Sequence, residues 1–488
     1  MFTFLIALLA LVAGYLFYGK FVTRVFGPDP QRTTPAVAHP DGVDFIVMPG
    51  WKVFMIQFLN IAGTGPIFGA IMGAQFGPAA YLWIVFGCIF AGSVHDYLSG
   101  MLSLRNNGEG LPQLVGRYLG NTTRIIMMVF TLVLLILVGS VFVYSPAIIL
   151  SGFGGAMPMW FCIIFLYYLL AAMLPIDKII GRIYPVFAFA ILFMAIGLLV
   201  MLFVKWPSLP EIWDGLGNMR AQRDPSWSDA IFPGLFITIA CGAISGFHAT
   251  QSPLMARCMK NETQGRPIFY GSMITEGIVA LIWATVSMYF FYDKEKPGME
   301  VFAGLAGVNG LNTSAPTVVK VVCESWLGKL GGLLALLGVV AAPITTGDTA
   351  LRSARLIIAD FLHISQRPIP KRIMVCVPVF LCSLGLLLWQ VNNPNGFNVI
   401  WQYFGWANQA LAVFTLWTLT VYLTQERKPY IITLVPALFM TLVCSTFILV
   451  SPQALHLGTF GYVLGGVCLL AALVWFICWK RSKYPRKA

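Results

Sequence analysis

Ionisable side chains are rare in the apolar parts of this chain, and those present mark where chemistry would be sited. Only His95, Asp96, His248 and Glu276 lie well inside long apolar runs, with Asp348 at the edge of another. Charge is expensive inside a bilayer, so such groups point to ion or substrate pathways. His248 stands beside Thr250 and Gln251 in a stretch rich in helix breakers. Its imidazole titrates near neutral pH and suits substrate contact or proton relay; the alternative is a neutral ring bonded to freed backbone. His95 and Asp96 are adjacent, so on a helix they point about 100° apart and are expected not to face one site. Asp96 is expected either to pair with an Arg, such as Arg105, and lock an inner gate, or to carry protons. Glu276 has no evident partner and reads as a neutral, hydrogen-bonded carboxyl or a coupling group. No nucleotide-binding loop of G-x-x-x-x-G-K-[ST] type and no nucleophile–base or metal-ligand spacing accompanies these residues. No catalytic residue and no cofactor is therefore expected.

The elements that must hold these residues follow from composition. The chain has 488 residues, 58% hydrophobic and 10% charged, against about 25% charged in soluble proteins. A soluble enzyme, a disordered chain and a nucleic-acid binder are excluded, despite the net charge of +12. The ten Cys are scattered singly, without a disulfide or zinc framework. Taking about 20 apolar residues per span gives about thirteen membrane helices, near 2–19, 53–75, 78–103, 124–150, 157–175, 183–204, 231–256, 266–292, 317–346, 372–391, 398–422, 430–450 and 457–479. Segment 2–19 does not read as a cleaved signal peptide, since its charges follow the apolar run. With the N-terminus outside and the C-terminus inside, most Lys and Arg fall in cytoplasmic loops and the tail. Only Lys205, Arg220, Arg223, Lys294, Lys296, Lys320 and Lys329 fall outside, among Glu211, Asp214, Asp224, Asp229, Asp293, Glu295, Glu300 and Glu324.

Two spans carry helix-breaking sequence at matching depth. One holds Asn60-Ile61-Ala62-Gly63-Thr64-Gly65-Pro66, the other Cys241-Gly242-Ala243-Ile244-Ser245-Gly246-Phe247-His248 and on to Pro253. Each break lies about 16 Å into its span, near the midplane, and the two spans run in opposite directions. Matched broken helices in inverted halves point to a transporter site. Freed backbone groups need partners in lipid, and half-helix termini bind anions and cations. Pro66 suits the first turn of an outgoing half-helix, while Gly63 and Gly65 would let backbone approach a ligand. Gly63, Thr64, Gly65, Pro66, Ser245, Gly246, Phe247, His248, Thr250 and Gln251 are the expected substrate contacts. Glycine-mediated helix packing is the alternative.

At these residues the sequence resembles the carbon starvation protein A family. The strings carrying the resemblance are Asn60–Gly69, Gln75–Pro78, Gly92–Gly100, Ala240–Pro253 and Ala342–Ala350 with Arg352 and Arg355. Trp51 and the Gly27-Pro28-Asp29-Pro30 loop also fit. The resemblance implies a relation to the amino acid–polyamine–organocation superfamily, with an all-α, leucine-transporter-like core of five helices repeated upside down. The implied division is an extra helix at 1–19, repeats at 52–205 and 231–422, and two peripheral helices with a basic tail at 430–488. It also implies a cation-coupled importer of peptide or pyruvate in the cell membrane, linked to carbon starvation, with no nucleic-acid partner. The longer C-terminal half of some members has no counterpart in this sequence. Thr345 and Thr346 resemble the hydroxyl pair that completes a sodium site in sodium-coupled members of the fold, so sodium or proton coupling is implied. Asp348 would add charge there or cap the next segment beside Arg352 and Arg355. Tyr144 and Ser145, on core helix three, would close over the substrate or simply pack. Trp401, Tyr403 and Trp406 read as packing or interfacial aromatics, and Asn408 and Gln409 as interhelical hydrogen-bonders. A nutrient sensor of transporter ancestry and an integral-membrane enzyme are the competing readings.

Overall fold

A computed structural model describes residues 1–42, 45–152, 154–173, 176–219, 221, 230–292, 315–364, 369–393, 396–452 and 454–483. Of the charges used for orientation, Arg220, Arg223, Asp224, Asp229, Asp293, Lys294, Glu295, Lys296, Glu300, Arg367, Arg486 and Lys487 lie outside these residues. Among the described residues every regular element is helical, as a lipid-embedded backbone requires, since a helix satisfies its own N–H and C=O groups.

In chain order the helices are α1 (Phe2–Phe26), α2 (Gly50–Ile61), α3 (Gly65–Ala74), α4 (Ala79–Arg105), α5 (Leu111–Leu119), α6 (Asn121–Ser151), α7 (Met157–Met173) and α8 (Ile176–Lys205). Then come α9 (His248–Ala256), α10 (Glu262–Tyr292), α11 (Ala315–Phe361), α12 (Ile369–Asn392), α13 (Gly396–Gln425), α14 (Ile431–Val450) and α15 (Thr459–Lys483). Among the described residues, 8 helices are long and apolar enough to cross a membrane, or 9 if the bent pair α2–α3 is one span. This is fewer than the spans read from sequence, for physical reasons. The 231–256 segment is interrupted, α7 has only 17 residues, and α13 mixes Asn, Gln, Trp and Tyr into its 30 residues. The 47-residue α11 is kinked at Gly328, whose φ is 67°.

The two interruptions lie where the glycines and prolines fall. α2 stops at Ile61 and α3 starts at Gly65 at an angle of 46°, with Pro66 in its first turn. Residues 231–238 are helical apart from Phe232, whose backbone is extended; residues 239–247 are unwound, and α9 resumes at His248. α3 packs along α10, α9 against α4 and α2, and α6 along α11. The core is thus built around the two interruptions.

Candidate functional site

The breaks press against each other rather than against open space. A Cβ on Gly65 would collide with the Cys241 side chain. Gly242 adopts φ 91°, a left-handed conformation that disfavours other residues, and a Cβ there would strike Ala280. Gly65 therefore serves close packing of break on break, and Gly242 close packing of the second break on α10. This differs from the sequence reading, in which Gly65 clears space for a ligand.

Freed backbone at the second break is satisfied by side chains from other helices. Asn408 on α13 accepts from Phe247 N at 2.7 Å and from Ser245 Oγ at 3.1 Å through Oδ1, and its carbonyl accepts from Gly246 N at 3.2 Å. Trp83 Nε1 donates to Ile239 O at 2.8 Å, and Gln409 Nε2 to Phe236 O at 3.0 Å. Asn408 and Gln409 are interhelical hydrogen-bonders, and their partners are the break itself. A buried amide left unpaired costs roughly 1–3 kcal/mol, so the break depends on α13.

Beside the break, four ionisable groups from α4, α9 and α10 form one fully buried cluster. His248 Nδ1 lies 2.8 Å from Asp96 Oδ2, and His95 Nδ1 lies 2.8 Å from Asp96 Oδ1. His248 Nε2 lies 3.4 Å from Glu276 Oε2. Three expectations are corrected here. Although His95 and Asp96 leave the helix in different directions, the two oxygens of one carboxylate reach both imidazoles, so the adjacent pair does share a site. Asp96 pairs with histidines, not with Arg105, which holds Glu262 at 3.1 Å through Nε and Nη2. Glu276 has a partner in His248. Sequence reasoning omitted Cys241, whose sulfur lies within 4.8 Å of the facing His248 and Glu276 donor atoms. That spacing would admit a metal ion; His248 Nε2 and both Glu276 oxygens make no hydrogen bond among the described residues, and no ligand role is assigned.

The other expected residues fall elsewhere. Thr346 lies against the first break, with Oγ1 2.7 Å from where a Cβ of Gly63 would sit, and that hydroxyl makes no hydrogen bond. Thr345 Oγ1 donates back to Ala342 O at 2.8 Å. Asp348 is buried mid-helix in α11, 3.9 Å from Arg352, so it caps nothing. Tyr144 stacks between Phe161 and Phe397, at centroid distances of 6.0 and 5.6 Å. Ser145 Oγ, Thr64 Oγ1 and Gln251 Oε1 are buried without hydrogen bonds, as are both polar atoms of Asn60. Thr250 Oγ1 donates to Phe247 O at 2.7 Å and accepts from Gln251 Nε2 at 2.9 Å. Asn60 was missed as a site residue, although a polar side chain just ahead of a break is itself a signal.

Two clefts flank this centre. One is lined by Gln75, Thr238, Trp401 and Gln402, the other by Thr250, Arg257 and Ser353.

The fold is shared with solved transporters. A manganese transporter from Eremococcus coleocola, in complex with an aromatic bis-isothiourea substituted compound, matches with a TM-score of 0.58 at 13% identity, over 91% of this chain and 99% of that one. MhsT in complex with L-phenylalanine matches with a TM-score of 0.53 at 13% identity, over 86% and 98%. Among relatives, an uncharacterized membrane protein of Haemophilus influenzae is 44% identical over 62% of this chain and 94% of its own length. The peptide transporter CstA of Escherichia coli is 27% identical over 88% and 78%, and the pyruvate/proton symporter BtsT of the same organism 26% over 90% and 79%. The model of the carbon starvation protein CstA family matches residues 1–155, 143–315 and 299–447. A match along nearly the whole chain, on the fold of membrane transporters, makes this protein a member of the carbon starvation protein CstA family.

Proposed function

We propose that the chain is a proton-coupled secondary transporter that imports a small carboxylate-bearing nutrient, peptide or pyruvate, by alternating access during carbon starvation. It is a multi-pass membrane protein of a transporter family, not an enzyme. In this reading it sits in the cell membrane with its N-terminus outside and C-terminus inside. About thirteen helices include a core of two inverted repeats, 52–205 and 231–422, flanked by 1–19 and 430–488.

The observation that carries the reading is the buried chain His95–Asp96–His248–Glu276 beside the second break. Two carboxylates buried in a membrane core must be neutralised, and two protons shared among four groups achieve this. His248 moves with the break, so a change of break conformation alters its distance to Glu276 and the hold on its proton. Cys88 and Cys241 are the further titratable groups facing the cluster. The relatives' names, a peptide transporter and a pyruvate/proton symporter, favour carboxylate cargo and proton drive.

The test is uptake of labelled pyruvate into proteoliposomes under an inward proton gradient, with excess dipeptide as competitor. Gradient-driven uptake that His248→Gln uncouples is expected; uptake indifferent to the gradient in the unaltered protein overturns proton coupling. One observation favours a second reading. The unbonded hydroxyl of Thr346 beside Gly63 suits a sodium ion, which takes hard oxygen ligands. Drive by a sodium gradient, lost in Thr346→Val, would select it.

A further inference from the structure

A narrow cleft opens between the start of α5, the C-terminal end of α9 and the flank of α11. Its walls are mostly apolar, so its polar groups stand out. α5 begins in this cleft with Gly110 as its N-cap, and no side chain caps it. The first N–H groups of a helix have no intrahelical acceptor and favour an anion; in α5 these are the N–H groups of Leu111 and Gln113, since Pro112 has none. Arg257 lines the same cleft. Its guanidinium donates from Nε to Gly108 O at 3.0 Å, with the Phe45 ring centroid 5.3 Å from the guanidinium carbon. The terminal nitrogens are thus left for a forked contact with a carboxylate.

A second observation points independently to a ligand. Ser353 on α11 lines the cleft, is 5% exposed, and its hydroxyl has no hydrogen-bond partner. Thr250, in the same turn as His248, forms the inner end. The nearest acid in sequence, Glu109, is held by Arg117 at 2.6 Å and does not line the cleft.

We propose that this cleft is a carboxylate-binding way station between the second break and the membrane surface. The α5 N-terminus and Arg257 hold the carboxylate, while the unbonded hydroxyl of Ser353 hydrogen-bonds the rest of the solute. The proposal rests on the transport reading above and adds a second site to it.

The test compares Arg257→Gln, Arg257→Lys and Ser353→Ala in right-side-out and everted membrane vesicles, with labelled pyruvate and glycylglycine as probes. Arg257→Gln should raise the half-saturation concentration about tenfold for solute presented on the cleft side, the scale of one charge-assisted bond. From the opposite side it should change less than about twofold. Arg257→Lys should recover part of the loss, and Ser353→Ala should give a smaller increase on the same side only. Equal effects from both sides, or none, overturn the way station while leaving transport intact. Equilibrium binding of both probes to detergent-purified protein separates the two readings. Binding without uptake, weakened by Arg257→Gln, keeps the cleft and removes transport; binding of neither probe removes both.

Discussion

Asp96 is the residue on which the cluster turns, because its two oxygens serve two imidazoles at 2.8 Å each. Removing one partner of a buried charged pair typically costs about 3–5 kcal/mol, so Asp96→Ala should lower the protein's thermal midpoint and its yield. Asp96→Asn is the more informative change. An amide oxygen still accepts from one ring, but the negative charge beside His248 is gone. Exchange of labelled for unlabelled pyruvate requires no net proton movement and should persist in this variant, while accumulation against a gradient falls at least tenfold. Parallel counterflow and gradient-driven assays check this; equal loss of both would make Asp96 structural. The cluster's members were legible in the sequence as intramembrane charges. Their partnership was not: Asp96 and His248 stand 152 positions apart, and a helical wheel fixes where a side chain leaves the helix, not how far a carboxylate reaches.

At the scale of elements, the interruptions were legible because their cause is local. Gly63, Gly65 and Pro66 disrupt one helix and Gly242 and Gly246 the other, whatever surrounds them. Asn408 and Gln409 were legible as interhelical hydrogen-bonders, but that the interruption is their partner was not, nor was the support from α4, since both join distant parts of the chain. Asn408 carries most of that support: Phe247 N, Ser245 Oγ and Gly246 N all bond to it. Asn408→Leu keeps the size and apolar character of α13 but strands one backbone N–H and one hydroxyl. At roughly 1–3 kcal/mol for each unsatisfied group, the variant should unfold at a lower temperature by size-exclusion thermostability. It should also lose uptake more completely than the stability loss explains, because the break that positions His248 loses its tether. Full uptake by a folded Asn408→Leu protein would show that the break holds itself.

At the scale of the whole molecule, the polar ties are unevenly distributed. α4, α9 and α10 are joined through the buried cluster. Glu262 adds a second knot near the membrane surface, where it accepts from Arg105 and from Asp29 N at 2.7 Å. Under the proposed function these helices and the broken pair packed on them would move as one body. α6 and α11 form the other flank, and where α9 meets α11 the boundary is the cleft lined by Leu254 and Ile357. Rocking of one body against the other is how inverted-repeat transporters alternate access; under the proposed function, this boundary would open and close in each cycle. Joining Leu254→Cys to Ile357→Cys with a short bifunctional thiosulfonate should therefore stop net uptake, and reduction should restore it. The background is a variant without the exposed Cys162, Cys382, Cys468 and Cys478. The same reagent on either single variant should inhibit weakly, since a one-armed adduct does not tie the bodies together. Crosslinked protein that transports at the unmodified rate would mean that the two flanks do not separate here, and the same pair of tests would move to the cleft lined by Gln75, Thr238 and Trp401.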